Sequence, residues 1–177
     1  MRRYAPALIA AALLAACAAL SEAPLPAGGF EMSGRLAARH GKDGASGRIL
    51  WRHSDNTDEL LITSPLGQGI ARLSREGGQY RLVAGDGREY RAADPEGLTQ
   101  DALGWSLPLA GLPDWVRGRA SPGRPAELLR DAGGRALELR QDGWRVDYEE
   151  FRDNLPSRLR LSREDLEIRL IVDRWTN

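Results

Sequence analysis

Two histidines, one cysteine and a few runs of carboxylates are the side chains in this sequence best suited to chemistry. His40 and His53 flank a polar, glycine-rich stretch, a setting that favours surface imidazoles over metal ligation. The acidic clusters "DYEEF" and "SREDLE" could pair carboxylates for proton transfer. Period-two alternation already accounts for each of them as the wet face of a hairpin. No G-x-S-x-G, H-E-x-x-H or C-x-x-C occurs. The expectation is therefore a protein that is not an enzyme, with no metal and no cofactor. What remains is the single thiol of Cys17, which has no intramolecular partner and needs another explanation.

The residues before Cys17 supply one. Arg2 and Arg3 precede an apolar run from Ala5 to Ala16, the layout of a secretory signal. The run is shorter than the roughly 20 residues needed to span a bilayer. "LAAC", Leu14–Cys17, resembles the lipobox of bacterial lipoproteins, in which cleavage leaves the cysteine as an acylated first residue. The resemblance implies a signal peptide over 1–16 and a lipid anchor at Cys17. Since Ala18 is not the aspartate that retains such proteins in the inner membrane, it also implies an outer-membrane position facing the periplasm. Each buried methylene contributes about 0.8 kcal/mol, so a multiply acylated cysteine holds stably where one chain would not. Ala, Pro and Gly dominate the stretch from Ala18 to Gly29, and residues 17–29 read as an anchor and tether reaching about 40 Å when extended.

The remaining stretch, 30–177, reads as one domain. The whole chain carries 25 basic and 25 acidic residues, and loss of Arg2 and Arg3 with the signal leaves a slightly acidic protein. No basic patch of the size nucleic acid demands is evident, and a monomer is expected.

From Phe30 onward most segments alternate apolar and polar residues, as half-buried strands do. "FEMSGRLAAR" has a bend or bulge at Gly34, "HGKDGASG" reads as a turn, and "GRILWRHS" follows. Four further short strands and three glycine-rich turns complete a meander. Two helices interrupt it: "ADPEGLTQDALG", with Asp94 as N-cap, Pro95 at the first position and Gly104 to stop it, and "AGLPDWVRG". Asp142-Gly143 then suits a two-residue turn in the hairpin "ALELRQDGWRVDYEEF". About ten antiparallel strands are expected. A mostly β fold of that size curls into a strongly curved sheet or unclosed barrel. Short helices would cover its concave side.

Two features suggest a use for such a shape. Five tryptophans are present, each an ordinary core anchor alone, yet together able to line a hydrophobic cavity suited to hydrocarbon chains. Trp51, Ile62, Trp115 and Tyr148 are the candidate lining. The loop "SPLGQG" brackets Leu66 between Pro65 and Gly67. From the residues alone, Leu66 either folds back onto the core or reaches out to something apolar.

"GRLA", Trp51, "SPLG", "GWSLPLAGLPDWVRG", "LRQDGWRVDYEEF", "LPSRLRL" and "LIVDRW" stand in the order and spacing of the LolB family, and the chain resembles that family over essentially all of its mature length. The resemblance implies an unclosed antiparallel barrel with helices over its mouth. It implies a cavity that accepts the acyl chains of lipoproteins handed over by the periplasmic carrier LolA, and their insertion into the outer-membrane bilayer. It further implies that Leu66, shaped by Pro65 and Gly67, protrudes and serves that insertion. The principal alternative is a membrane-anchored, lipocalin-like binder of a small apolar ligand. A soluble carrier is disfavoured by the lipobox, and a periplasmic hydrolase by the missing nucleophile motifs.

Overall fold

The computed structural model describes residues 28–176. The signal segment, Cys17 and the tether up to residue 27 lie outside the described residues.

The chain runs β1 (Phe30–His40), β2 (Asp43–His53), β3 (Thr57–Thr63), β4 (Gly69–Glu76), β5 (Gln79–Ala84), β6 (Glu89–Ala92), α1 (Pro95–Leu103), α2 (Leu112–Trp115), β7 (Ala126–Arg130), β8 (Ala136–Gln141), β9 (Trp144–Arg152), β10 (Leu155–Arg163) and β11 (Leu166–Thr176). All strands join one antiparallel sheet in the order β6-β5-β4-β3-β2-β1-β11-β10-β9-β8-β7. β1 and β11 pair at its centre over ten residue pairs. β6 and β7 are left as unpaired edges. The barrel is therefore open, and the segment that connects its two edges carries both helices.

Alternation decides which face is buried. Phe30, Met32, Leu36 and Ala38 of β1 point inward, as do Ile49 and Trp51 of β2, Leu60 and Ile62 of β3, and Trp144, Val146 and Tyr148 of β9. Gly34 sits at the expected irregularity: the register of β1 on β11 shifts between Ser33 and Gly34. A Cβ there would lie 2.2 Å from the Ile171 carbonyl oxygen, so only glycine permits this approach.

The helical segment completes the core. Asp94 caps α1 by accepting from the N–H groups of Glu96 and Gly97, Pro95 occupies its first turn, and Gly104 ends it in a left-handed conformation. α2 is a single turn. Leu98, Leu107, Leu109, Leu112, Trp115 and Val116 of this segment are all buried against the sheet.

Eleven strands stand where about ten are expected. The extra one is β7, whose residues are exposed on both sides except for a half-buried Leu128. The turn expected over "HGKDGASG" shrinks to Gly41 and Lys42, because β2 begins at Asp43 and pairs with β1 along its full length. His53 is also corrected. It is not a surface imidazole: its side chain is 12 % exposed and its Nδ1 lies 2.7 Å from the Asp58 carboxylate. The same carboxylate accepts the Trp51 indole N–H at 2.9 Å and pairs with Arg75. His40 does lie on the surface, beside Asp165.

Candidate functional site

The loop between β3 and β4 is built from its own backbone. The Gly67 N–H donates to the Ser64 carbonyl at 2.9 Å, closing a four-residue turn, and the Ser64 N–H donates to Gln68 O at 2.7 Å. Pro65 fixes the second position of the turn, and Gly67 takes φ +87°, a conformation that costs other residues about 1 kcal/mol or more. Between them Leu66 is 90 % exposed. A leucine so placed retains its apolar surface in water, and burying it elsewhere would recover about 1.5–3 kcal/mol.

The two stems of this loop meet an apolar cleft on the concave side. Ile62, an inward residue of β3, and Ile70 of β4 line it together with Leu36, Leu103 and Trp105. Ile70 faces inward because the β3–β4 register shifts between Ile62 and Thr63. The cleft holds about 70 Å³. Sites that enclose small organic ligands run to roughly 300–1,000 Å³, so this cleft as it stands is too narrow to enclose one.

The four candidate lining residues fall into two groups. Trp51 and Ile62 lie on the inward face of β2 and β3, and Ile62 lines the cleft. Trp51 is fully buried, with its ring edge-on to Phe30 at 4.9 Å between centroids. Trp115 and Tyr148 lie under the other half of the sheet, where the Tyr148 hydroxyl donates to the Trp115 carbonyl at 2.9 Å. Burial pushes the Tyr148 hydroxyl pKa well above its ordinary value, which keeps it a donor.

Gln141 is a structural residue that sequence reasoning missed. Its buried side-chain oxygen accepts the Trp115 indole N–H and the Ser121 N–H, each at 2.8 Å, while its amide nitrogen donates to the Ser121 carbonyl at 2.9 Å. A glutamine on the inward side of β8 thus fastens α2 and the chain after it to the sheet. At the other helix, Thr99 Oγ1 accepts the Leu107 N–H at 2.8 Å and donates to Pro95 O at 3.1 Å. The signal for both was a polar residue at an inward position. Nothing in the local pattern names the partner.

Gln141 thus latches the α2 end of the helical connection to the sheet, Thr99 ties α1 to the chain that follows it, and the cleft lies at the α1 end. Among the described residues no helix is long and apolar enough to cross a membrane.

Fold and site together define an unclosed antiparallel β-barrel, helices on its concave side, with one leucine held out at a loop tip beside an apolar cleft. The family model described as outer membrane lipoprotein LolB matches residues 28–175. The chain is 39 % identical over 182 residues to the outer-membrane lipoprotein LolB of Thiobacillus denitrificans, covering 99 % of this chain and 98 % of that protein. Against the LolB of Azoarcus sp. strain BH72 it is 40 % identical over 190 residues, covering 98 % and 96 %. For the LolB of Nitrosomonas europaea the figures are 41 % over 152 residues, covering 82 % and 72 %. The chain belongs to the LolB family. It is accordingly an outer-membrane lipoprotein of the lipoprotein-localisation system, and not an enzyme.

Proposed function

We propose that this protein, anchored through acylated Cys17, receives other lipoproteins from the periplasmic carrier LolA. It binds their acyl chains on its concave side and passes them to the outer membrane at the Leu66 loop. One observation carries the proposal: the same two strands that hold Leu66 in solvent also line the apolar cleft, through Ile62 and Ile70. An acyl chain leaving the concave side there emerges next to the side chain best suited to touch a bilayer.

Acceptance requires the cleft to widen. One route displaces α1 from β5 and β6, against which it packs, since Leu103 at its end and Trp105 just after it line the cleft together with Ile62 and Ile70. An arriving hydrocarbon chain then packs between the two walls and offsets their separation, at about 25 cal/mol per Å² of apolar surface sheltered. Transfer needs no nucleotide, because chains move between apolar sites and only the difference counts. A gap of about 1.4 kcal/mol biases the exchange tenfold.

Depletion in the native cell tests this reading. Other outer-membrane lipoproteins are then expected to accumulate on LolA in the periplasm, as measured by their co-purification with the carrier. If they continue to reach the outer membrane normally, a membrane-anchored binder of a small apolar ligand becomes the better account.

A further inference from the structure

The sheet's convex face beside the Leu66 loop brings two arginines together around apolar side chains. Several other arginines of the sheet meet carboxylates: Arg158 with Glu150, Arg160 with Glu149, Arg169 with Glu167 and Arg35 with Asp173. Arg48 on β2 and Arg72 on β4 are both exposed, and neither guanidinium meets a carboxylate among the described residues. The register places them in adjoining rows. Arg48 lies between Arg35 of β1 and Thr63 of β3, and Arg72 lies beside Leu61, which pairs with Leu50. Leu50 is 45 % exposed. Arg48, Arg35 and Arg169 also wall a groove of about 370 Å³ that contains Ala37 and Ile171 and ends against Pro65.

The geometry points to this face, Arg48 and Arg72 around Leu50 and Leu61, as a seat for the phosphates of anionic phospholipid in the bilayer. The inference rests on the reading that Leu66 meets the membrane, and it adds how the domain lies on that membrane. Guanidinium groups hold phosphate by paired hydrogen bonds. Arg48 has only Arg35 and Thr63 as cross-strand neighbours, and Arg72, which shares a groove with Glu59 and Glu31, forms an ion pair with neither among the described residues. Between them the exposed Leu50 and the half-buried Leu61 match the acyl boundary just beneath the headgroups. Towards Phe30 the character changes, since Glu31 binds Arg52 and Glu59 lies opposite Arg52. The basic, apolar strip thus begins at Leu50 and runs into the loop.

The test uses the mature, acylated chain in vesicles of phosphatidylcholine alone or with added phosphatidylglycerol. Cys17 is the only cysteine, so once it is acylated either Leu50→Cys or Gln68→Cys supplies a single thiol for a polarity-sensitive fluorophore. The fluorophore at 68 is expected to enter lipid in both vesicles. The one at 50 is expected to be shielded from an aqueous quencher only with the anionic lipid. Each arginine at an anionic surface favours contact about fivefold, about 1 kcal/mol. Converting Arg48 and Arg72 to Glu together should therefore reduce shielding at 50 more than about tenfold, while converting both to Lys preserves it. Neither pair of changes removes an ion pair, and both variants should melt with the parent. If 68 enters lipid while 50 stays in water, the face proposal fails and the loop reading stands. If both stay in water, the loop reading fails too. Shielding at 50 that appears only when LolA is added would assign the face to a protein and overturn the lipid proposal.

Discussion

Leu66→Glu is expected to leave the domain folded and able to take a lipoprotein from LolA, yet to cut delivery into vesicles about tenfold or more. Exposure and transfer set these expectations. At 90 % exposed, Leu66 contributes almost nothing to the core, so thermal unfolding should coincide with the parent's. In lipid the side chain recovers about 1.5–3 kcal/mol, and each 1.4 kcal/mol is a factor of ten. Glutamate loses that gain and adds the cost of a carboxylate near hydrocarbon. Leu66→Met, of similar apolar size, should keep most of the rate. The measurement is transfer of a labelled lipoprotein from LolA to the protein and then to vesicles, followed as two steps. Failure of the first step, or of folding, would contradict the assignment of Leu66 to delivery.

Trp115→Ala carries the largest expected effect on stability. Trp115 is 1 % exposed, its indole N–H is held by Gln141 and its backbone carbonyl by Tyr148, so this residue makes the hydrogen bonds that join α2 itself to the sheet. Truncation removes the packing and one of the two hydrogen bonds to the buried Gln141 oxygen, leaving it only the Ser121 N–H, which together cost about 3–5 kcal/mol. For a domain of this size that lowers the melting temperature by about 10 °C. Trp115→Phe fills most of the space but offers no N–H, and should cost about 1–2 kcal/mol. Near-ultraviolet circular dichroism during melting measures both. A Trp115→Ala protein as stable as the parent would show that α2 is not fastened to the sheet through this residue.

Legibility in the sequence followed burial. β9 and β1 were plain because one side of each is wholly apolar and the other wet, and Asp142-Gly143 marked the hairpin by its backbone preference. β7 was invisible for the same reason inverted: as an edge strand exposed on both faces it has no apolar side to reveal a period. The first residues of β2, polar and glycine-rich, look like a turn and are held as strand by pairing with β1. Position 53 continues the inward series of Ile49 and Trp51, so its burial was in principle readable. Its partner Asp58 lies on the next strand, and only the register brings the two together. The cleft was legible in part. Ile62 follows from alternation, but Ile70 faces inward through a register shift that no periodicity encodes. Separating Trp51 and Trp115, wholly enclosed by the core, from residues at an opening required knowing where the helical segment leaves a gap.

Acyl chains are expected to enter between α1 and the β3–β4 stems, and photocross-linking reads this directly. A photoreactive residue is placed at Leu103, in the wall of the cleft, or at Leu129, exposed on the outlying strand β7. Each protein is then loaded from LolA and irradiated. The account predicts a covalent adduct with the passenger's acyl chains from position 103 and none from position 129. An absence of adduct at 103, with uptake intact, would place the chains elsewhere and contradict it.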